Sequence, residues 1–167
     1  MAFDAYTVAK YAHFIGIALF LLAHGVSAGV SFKLRSERDR AKLTALLDLS
    51  ASSYPGMAGG FLLILGSAVA MALMYSWWQT IWFWAALGVF FVVTGIMTPL
   101  ATLRYGKIRR ALGLKLPMGA KAKEGERGEL SDEEVAALLS SVNPWLITGI
   151  GFGGIALMSF LMMFKPF

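Results

Sequence analysis

Residues 11–32, with the sequence YAHFIGIALFLLAHGVSAGVSF, decide the fold of this chain. This stretch of 22 residues contains no acidic residue, no lysine and no arginine; His13 and His24 are its two basic side chains. An α-helix rises about 1.5 Å per residue, so the stretch is long enough to cross a hydrocarbon core of about 30 Å. It therefore predicts a membrane-spanning helix.

Three further apolar runs follow, at residues 57–75, 78–103 and 144–164, and none contains Asp, Glu, Lys or Arg. A backbone exposed to lipid must satisfy its own hydrogen bonds, which favours helices. The sequence therefore predicts an all-α bundle of four transmembrane helices forming one domain over residues 1–167. Residues 104–142 form the longest loop.

The composition supports this assignment. Of 167 residues, 57% are hydrophobic and 15% are charged, whereas soluble domains carry about 25% charged residues. The net charge of +5 is confined to short segments between apolar runs, which argues against a nucleic-acid-binding surface. The absence of cysteine excludes disulfides, iron–sulfur clusters and covalently attached haem.

The basic residues predict the orientation in the membrane. Thirteen of the 15 lysines and arginines lie in the loops after the first and third spans, and only Lys10 and Lys165 lie on the other side. By the positive-inside rule both loops are cytoplasmic and both termini lie outside.

Local signals predict how the loops fold. Ser131 followed by Glu134 forms a capping-box pattern, which predicts a short amphipathic cytoplasmic helix. A second loop helix is expected over residues 39–49. Asn143 before Pro144 predicts a capped start of the fourth span, and Pro99 predicts a kink in the third.

His13 and His24 are the only histidines of the chain, and both lie in the first span. Eleven residues at 100° each complete three turns plus about 20°, so both rings leave one helix face about 16.5 Å apart. Ionisable groups at such depth are costly and are often functional. Haem b fits this pattern, because its macrocycle is largely apolar and one imidazole supplies an axial bond.

Two histidines at two levels could each ligate one haem, which would favour electron transfer across the membrane. Candidate contacts to the haem propionates are Arg104, Arg109, Arg110 and Lys10. Bis-histidine ligation within one chain is excluded, because each level holds one histidine. Methionines are candidates for the second ligand by residue type alone: Met57, Met71, Met74, Met97, Met158, Met162 and Met163.

Other interpretations remain open. Each histidine could instead form a structural hydrogen bond across a helix interface, with partners among Ser67, Thr94, Thr98, Thr148 and Ser159. Copper could also use histidine and methionine, but no three of these residues have a convincing spacing. Gly25 and Gly29 beside His24 allow the close approach of either a neighbouring helix or a flat ring, and they do not decide between the two. Gly149 and Gly153 predict a packing face inside the bundle or with a partner.

No span contains a buried carboxylate or amine, which argues against a proton-coupled transporter or ion pump. The histidines also lack a nearby acid, so no hydrolytic triad is indicated. The sequence favours a non-catalytic subunit over an enzyme: either a haem b electron-transfer subunit in a larger complex or homo-oligomer, or a cofactor-free accessory subunit. Copper handling is the third hypothesis.

The stretch KYAHFIGIALFLLAHGVSAGVSFKLRSERDRAKLTALLDLSASSYPGM and the third span, WFWAALGVFFVVTGIMTPLATLRYGKIRRAL, resemble uncharacterised bacterial four-helix membrane proteins of the CopD-like group. The resemblance covers residues 10–112. It implies a multi-pass protein of the bacterial cytoplasmic (inner) membrane, similar in design to small b-type cytochromes and to copper-resistance membrane subunits. It also implies that His13 matches a histidine usually found early in the first helix.

Overall fold

The computed structural model describes residues 4–115 and 130–166, and every regular element in these ranges is helical. The α-helices are α1 (Ala5–Ser36), α2 (Arg40–Ser52), α3 (Tyr54–Tyr75), α4 (Ile81–Met97), α5 (Leu103–Ala111), α6 (Asp132–Ser140) and α7 (Pro144–Phe164). Within the same ranges, four continuous stretches are long and apolar enough to cross a membrane: Ala5–Ser36, Arg40–Tyr75, Ile81–Ala111 and Pro144–Phe164. This confirms the predicted all-helical fold with four helices that are long and apolar enough to cross a membrane.

The first three of these stretches extend beyond the predicted spans, the second because it includes α2. α1 begins near the N-terminus because the Asp4 carboxylate accepts a hydrogen bond from the Thr7 N–H at 2.6 Å, which caps the helix. Hydrogen bonds from the backbone N–H and the side chain of Thr7 also hold the pKa of the Asp4 carboxyl below its usual value. Such polar helix ends lie outside an apolar run, so hydropathy alone does not place them.

The third span departs from a regular helix at both ends. A 3₁₀ turn at Trp77–Gln79 precedes α4, and Ser76 before it adopts a left-handed conformation with φ 53°. Pro99 lies in a π-helical turn at Thr98–Thr102 that joins α4 to α5. Proline lacks the N–H that would continue the α-helical ladder, and a π turn accommodates this loss.

The four spans pack as two helix pairs. α1 packs along α3, α4 packs along α7, and a smaller contact between α1 and α7 joins the pairs. α1 and α3 approach each other closely at Gly16 and Gly60, which have no side chains. A Cβ on Gly60 would lie only 2.7 Å from the Phe20 nitrogen. On the other pair, a Cβ on Gly154 would lie 2.6 Å from Val93 Cγ2.

These contacts rule out only the intramolecular form of the predicted packing faces, and a face for a partner stays a prediction. A Cβ on Gly149 or Gly153 would meet no atom within 4 Å, so these glycines form no packing face inside the bundle. The same holds for Gly25 and Gly29. The close approaches of α7 occur instead at Gly151 and Gly154, which lie on a different side of the helix.

The two ends of the bundle differ. At the terminal end, where α1 begins and α7 ends, Tyr6 packs on Tyr75 with ring centroids 4.5 Å apart, and Lys165 Nζ lies 5.0 Å from the Trp82 ring. The opposite end carries α2, α5 and α6 and is called the basic end. Its core, the basic-end cluster, consists of Val30, Leu34, Leu43, Leu47, Ile108, Val135, Leu139, Val142 and Ile147.

Two caps predicted from the sequence are present at the basic end. Ser131 and Glu134 form a reciprocal capping box at the start of α6. The Asn143 side chain accepts hydrogen bonds from the backbone N–H groups of Trp145 and Leu146 at the start of α7. With these caps in place, α6 and α7 follow each other closely, and only short irregular segments lie between residues 130 and 144.

Candidate functional site

A cavity of about 350 Å³ lies between the two helix pairs, bounded by α1, α3, α4 and α7. Its volume is in the range of small-molecule binding sites, about 300–1,000 Å³. Apolar side chains form most of its wall, and both His13 and His24 line it. The histidines that the sequence singles out therefore face one shared interior space.

His13 is held in a defined orientation. Its Nδ1 lies 3.1 Å from the Ile64 carbonyl oxygen and 2.9 Å from Ser67 Oγ. Because a carbonyl oxygen only accepts hydrogen bonds, Nδ1 donates and carries the proton. The lone pair then resides on Nε2, which is buried and has no hydrogen-bond partner among the described residues.

His24 is buried more deeply and in a different way. Its exposed fraction is 8%, and neither ring nitrogen has a hydrogen-bond partner in the described part of the chain. The ring stacks on Phe20, with centroids 5.7 Å apart, and packs against Phe152 at 5.2 Å. A Cβ on Gly151 would lie 2.5 Å from His24 Nε2, so the absent side chain makes room for this ring.

The structure separates the methionines into two groups. Met57, Met97, Met158 and Met162 line the cavity. Met71 is buried away from it, whereas Met74 and Met163 are exposed on the bundle surface. The sequence pattern does not distinguish these groups, because the choice depends on which face of each helix meets its neighbours.

The hydroxyl groups proposed as histidine partners also differ. Ser67 contacts His13, as the structural interpretation requires. Thr94, Thr98, Thr148 and Ser159 line the cavity, and Thr148 Oγ1 is buried without a partner among the described residues. Unpartnered polar atoms in an apolar cavity are costly, and they are expected where a ligand supplies the missing contact.

The four cations predicted to contact propionates lie elsewhere; within the described residues none lines the cavity. Lys10 Nζ lies 5.3 Å above the Tyr6 ring, and Arg104 donates to the Ser141 carbonyl oxygen at 2.7 Å. Arg109 donates to the Leu47 and Lys115 carbonyl oxygens and to Asp48 Oδ1. Arg110 follows it on α5, at the basic end.

The geometry restricts which ligand the cavity can hold. In the described parts of the chain, no group of three or more His, Cys, Asp or Glu residues could hold a metal ion by itself. A group that brings its own equatorial ligands, such as haem, needs only one or two axial donors from the protein. No family model, no curated protein and no solved structure matches the chain, so its function is inferred from this cavity.

Proposed function

We propose that this chain is a haem b-binding membrane subunit that transfers electrons within a larger complex or a homo-oligomer. The observation that carries the proposal is the state of His13. Its Nδ1–H is bonded to the Ile64 carbonyl oxygen, its Nε2 is buried and unpartnered among the described residues, and the His13 side chain lines an apolar cavity.

This arrangement is typical of a metal-ligating histidine. Such histidines usually donate the other ring N–H to a carbonyl or carboxylate, which fixes the tautomer and orients the ring. The apolar wall suits a macrocycle. A haem bound here would exchange one electron at its iron, and His13 would supply the axial nitrogen.

The two histidines are not equally suited to this role. His24 Nε2 points toward the backbone of α7 at Gly151, where a macrocycle would collide with the helix. The cavity is a single space of about 350 Å³. Both features favour one haem at His13 over two haems at separate levels, with His24 forming part of the cavity wall.

The position of His13 along α1 also indicates which of the four candidate cations could contact a haem propionate. His13 lies in the half of α1 near the terminal end, and Lys10 precedes it by one helical turn. Lys10 is therefore the candidate for a propionate contact. Arg104, Arg109 and Arg110 lie at the opposite end, and Arg109 already binds Asp48.

The membrane topology follows the charge distribution. We place the basic end in the cytoplasm and both termini outside, because thirteen of the 15 lysines and arginines lie in the two loops at that end. Together with the resemblance to CopD-like proteins, this favours the bacterial cytoplasmic membrane. α2 and α6 would then lie at its cytoplasmic surface.

A cofactor-free accessory subunit is the second candidate. One observation favours it: the bonds from His13 to Ile64 and Ser67 also link α1 to α3 without any cofactor. Copper handling is the third candidate, and it would require methionine sulfur beside a histidine nitrogen.

The test is the visible spectrum of the chain, expressed with ample haem and purified in mild detergent, before and after dithionite reduction. Sharp reduced bands of b-type haem are expected, and His13→Ala should abolish them. His24→Ala is the matched control on the same helix and should retain them. A colourless wild-type protein would refute the proposal, and copper found by elemental analysis of that protein would favour the third candidate.

A further inference from the structure

The cavity between the helix pairs is open on one side. α3 packs along α1 and α4 packs along α7, but α3 and α4 do not pack along each other. A ring contact bridges them, with the Phe61 and Phe90 centroids 5.1 Å apart. On the basic-end side of this contact, Thr94 and Thr98 of α4 line the cavity although both residues are exposed. The gap between α3 and α4 is therefore an opening on the outer surface of the spans, where lipid would lie.

The part of the cavity nearest the basic end, called the hydroxyl end, is lined by six hydroxyl side chains: Ser27, Ser31, Ser50, Tyr54, Thr102 and Tyr105. Some of these groups already have partners, because Ser27 Oγ lies 3.2 Å from Ser50 Oγ and Tyr105 interacts with Ser31. The hydroxyls of Tyr54 and Thr102 form no hydrogen bond with another described residue.

These two hydroxyls also differ from the histidine nitrogens in accessibility. Thr102 is an exposed residue, and the Tyr54 hydroxyl is not among the fully buried polar atoms, which include His13 Nε2 and both ring nitrogens of His24. A hydroxyl can donate one hydrogen bond and accept others. Tyr54 and Thr102 can therefore donate to a ligand that reaches the hydroxyl end.

The charge of the cavity wall restricts this ligand. Among the described residues, no lysine, arginine, aspartate or glutamate lines the cavity. Transfer of a charged group into such surroundings without a counter-ion is costly. A phospholipid headgroup is therefore disfavoured, and the ligand must combine an apolar body with an uncharged, hydrogen-bonding head.

Aromatic side chains indicate the shape of that head. Phe61 follows Tyr54 by two helical turns and lies on the same face of α3, and both line the cavity. Phe90 and Tyr105 line it from the other pair, and Tyr105 interacts with Tyr54. Aromatic rings pack favourably against another flat ring. A planar head with oxygen acceptors matches both the rings and the hydroxyl donors.

We propose that the cavity binds a membrane quinone, with its ring at the hydroxyl end and its isoprenoid chain leaving between α3 and α4 into the lipid. The ring carries no charge, and its two carbonyl oxygens accept hydrogen bonds from Tyr54 and Thr102. The site does not require haem. Ser31, at the hydroxyl end, lies 18 residues after His13, about 27 Å farther along α1.

The experiment measures the binding of decylubiquinone to the full-length chain, expressed without added haem and held in mild detergent. Equilibrium dialysis, followed by extraction and chromatography, gives the amount bound per chain. Two competitors test what is recognised: 1-decanol supplies an apolar chain with a hydroxyl, and dioleoylglycerol supplies a neutral lipid without a ring. We expect saturable binding of the quinone that an equal concentration of either competitor does not displace.

Three substitutions locate the site. Tyr54→Phe and Thr102→Val each remove one hydroxyl at similar volume and should weaken quinone binding by about 2- to 10-fold, the usual effect of one lost hydrogen bond. Tyr75→Phe is the matched control, because it removes a hydroxyl from the same helix at a residue that is 56% exposed at the terminal end. It should bind like the wild type. Unfolding in detergent verifies that all three variants are folded.

Each alternative outcome has a defined meaning. Binding that never saturates overturns the proposal, and so does displacement by dioleoylglycerol, which would make the site one for neutral lipids. The placement at the hydroxyl end fails if Tyr54→Phe and Thr102→Val both bind like Tyr75→Phe. A colourless protein that binds the quinone would refute the proposed haem function and leave this inference standing.

Discussion

The basic end and the middle of the bundle are built on different principles. The basic-end cluster is close-packed: Leu34, Leu47 and Leu139 are each 2% exposed, and Ile108 is 1% exposed. The middle of the bundle instead contains a cavity bordered by histidine nitrogens that have no partner among the described residues. One end fills its interior with side chains, whereas the middle leaves room for a ligand.

This difference suggests that the basic end stabilises the fold and that the middle of the bundle holds the candidate site. A close-packed core at one end can hold the helices together while the space between the spans stays open. The third span packs least against the rest of the chain: only 6% of the residues in its most apolar window are buried inside the chain, against 33% for the first span. α4 is therefore the wall with the fewest intramolecular constraints, and we expect it to move most when a ligand binds.

Truncation of one apolar side chain in each region gives the sharpest comparison. Leu47→Ala should lower the free energy of unfolding by about 2–5 kcal/mol, because it opens a void in a close-packed cluster. Ile17→Ala enlarges a cavity that already exists, where fewer contacts are lost, and should cost about 1 kcal/mol. Chemical unfolding in detergent, followed by tryptophan fluorescence, measures both. Equal losses would show that the two regions are equally well packed.

The ion pairs of the basic end provide the second comparison. Arg109 is 5% exposed, and its guanidinium bonds two carbonyl oxygens and Asp48 Oδ1 at 2.9 Å. Arg109→Met should cost about 3 kcal/mol, since it removes a buried cation together with its partners' contacts. Arg40→Met is the control: its pair with Asp132 is solvent-exposed and should contribute less than about 1 kcal/mol.

High salt sharpens this second test. Screening should reduce the small contribution of Arg40 further. It should leave most of the Arg109 effect, because Arg109 is buried and two of its three hydrogen bonds go to carbonyl oxygens, whereas only the bond to the 56% exposed Asp48 joins two ions. If both variants unfolded alike at low and high salt, the Arg109 contact would not hold α5 against α2.

The fold was predictable from the sequence because lipid imposes a simple requirement. Four apolar runs of sufficient length must form helices, and the predicted fourth span, residues 144–164, coincides with α7. The helix ends were less predictable. The polar first turns of α1 and the π turn around Pro99 depend on local hydrogen bonds rather than on hydropathy.

The site was predictable only in part. The shared face of His13 and His24 follows from helical periodicity, and both line the cavity. Their different surroundings do not follow from it, because Ile64 and Gly151 reach them from other helices. Likewise, spacing identifies small residues but not which of them meet a neighbour inside the chain: Gly16 and Gly60 do, whereas Gly149 and Gly153 do not.

The α1–α3 contact gives the last and smallest comparison, between two adjacent glycines. Gly60→Ala would place a Cβ 2.7 Å from the Phe20 nitrogen and 2.8 Å from the Gly16 carbonyl oxygen, so the helices must separate at a cost of about 1–3 kcal/mol. Gly59→Ala meets nothing within 4 Å and should be neutral or stabilising by up to about 1 kcal/mol. Unfolding in detergent measures both.

The variants of Gly60 and Gly59 also test whether the packing of α1 against α3 affects the candidate site. Gly60 lies one turn before Ile64, whose carbonyl oxygen orients His13. Separation of α1 from α3 should weaken this hydrogen bond, so under the proposed haem-binding function Gly60→Ala should also retain less haem after detergent dialysis than Gly59→Ala. Equal haem retention, despite a lower stability of Gly60→Ala, would show that Ile64 does not position His13. The carbonyl contact would then be a consequence of packing and not a support of the iron ligand.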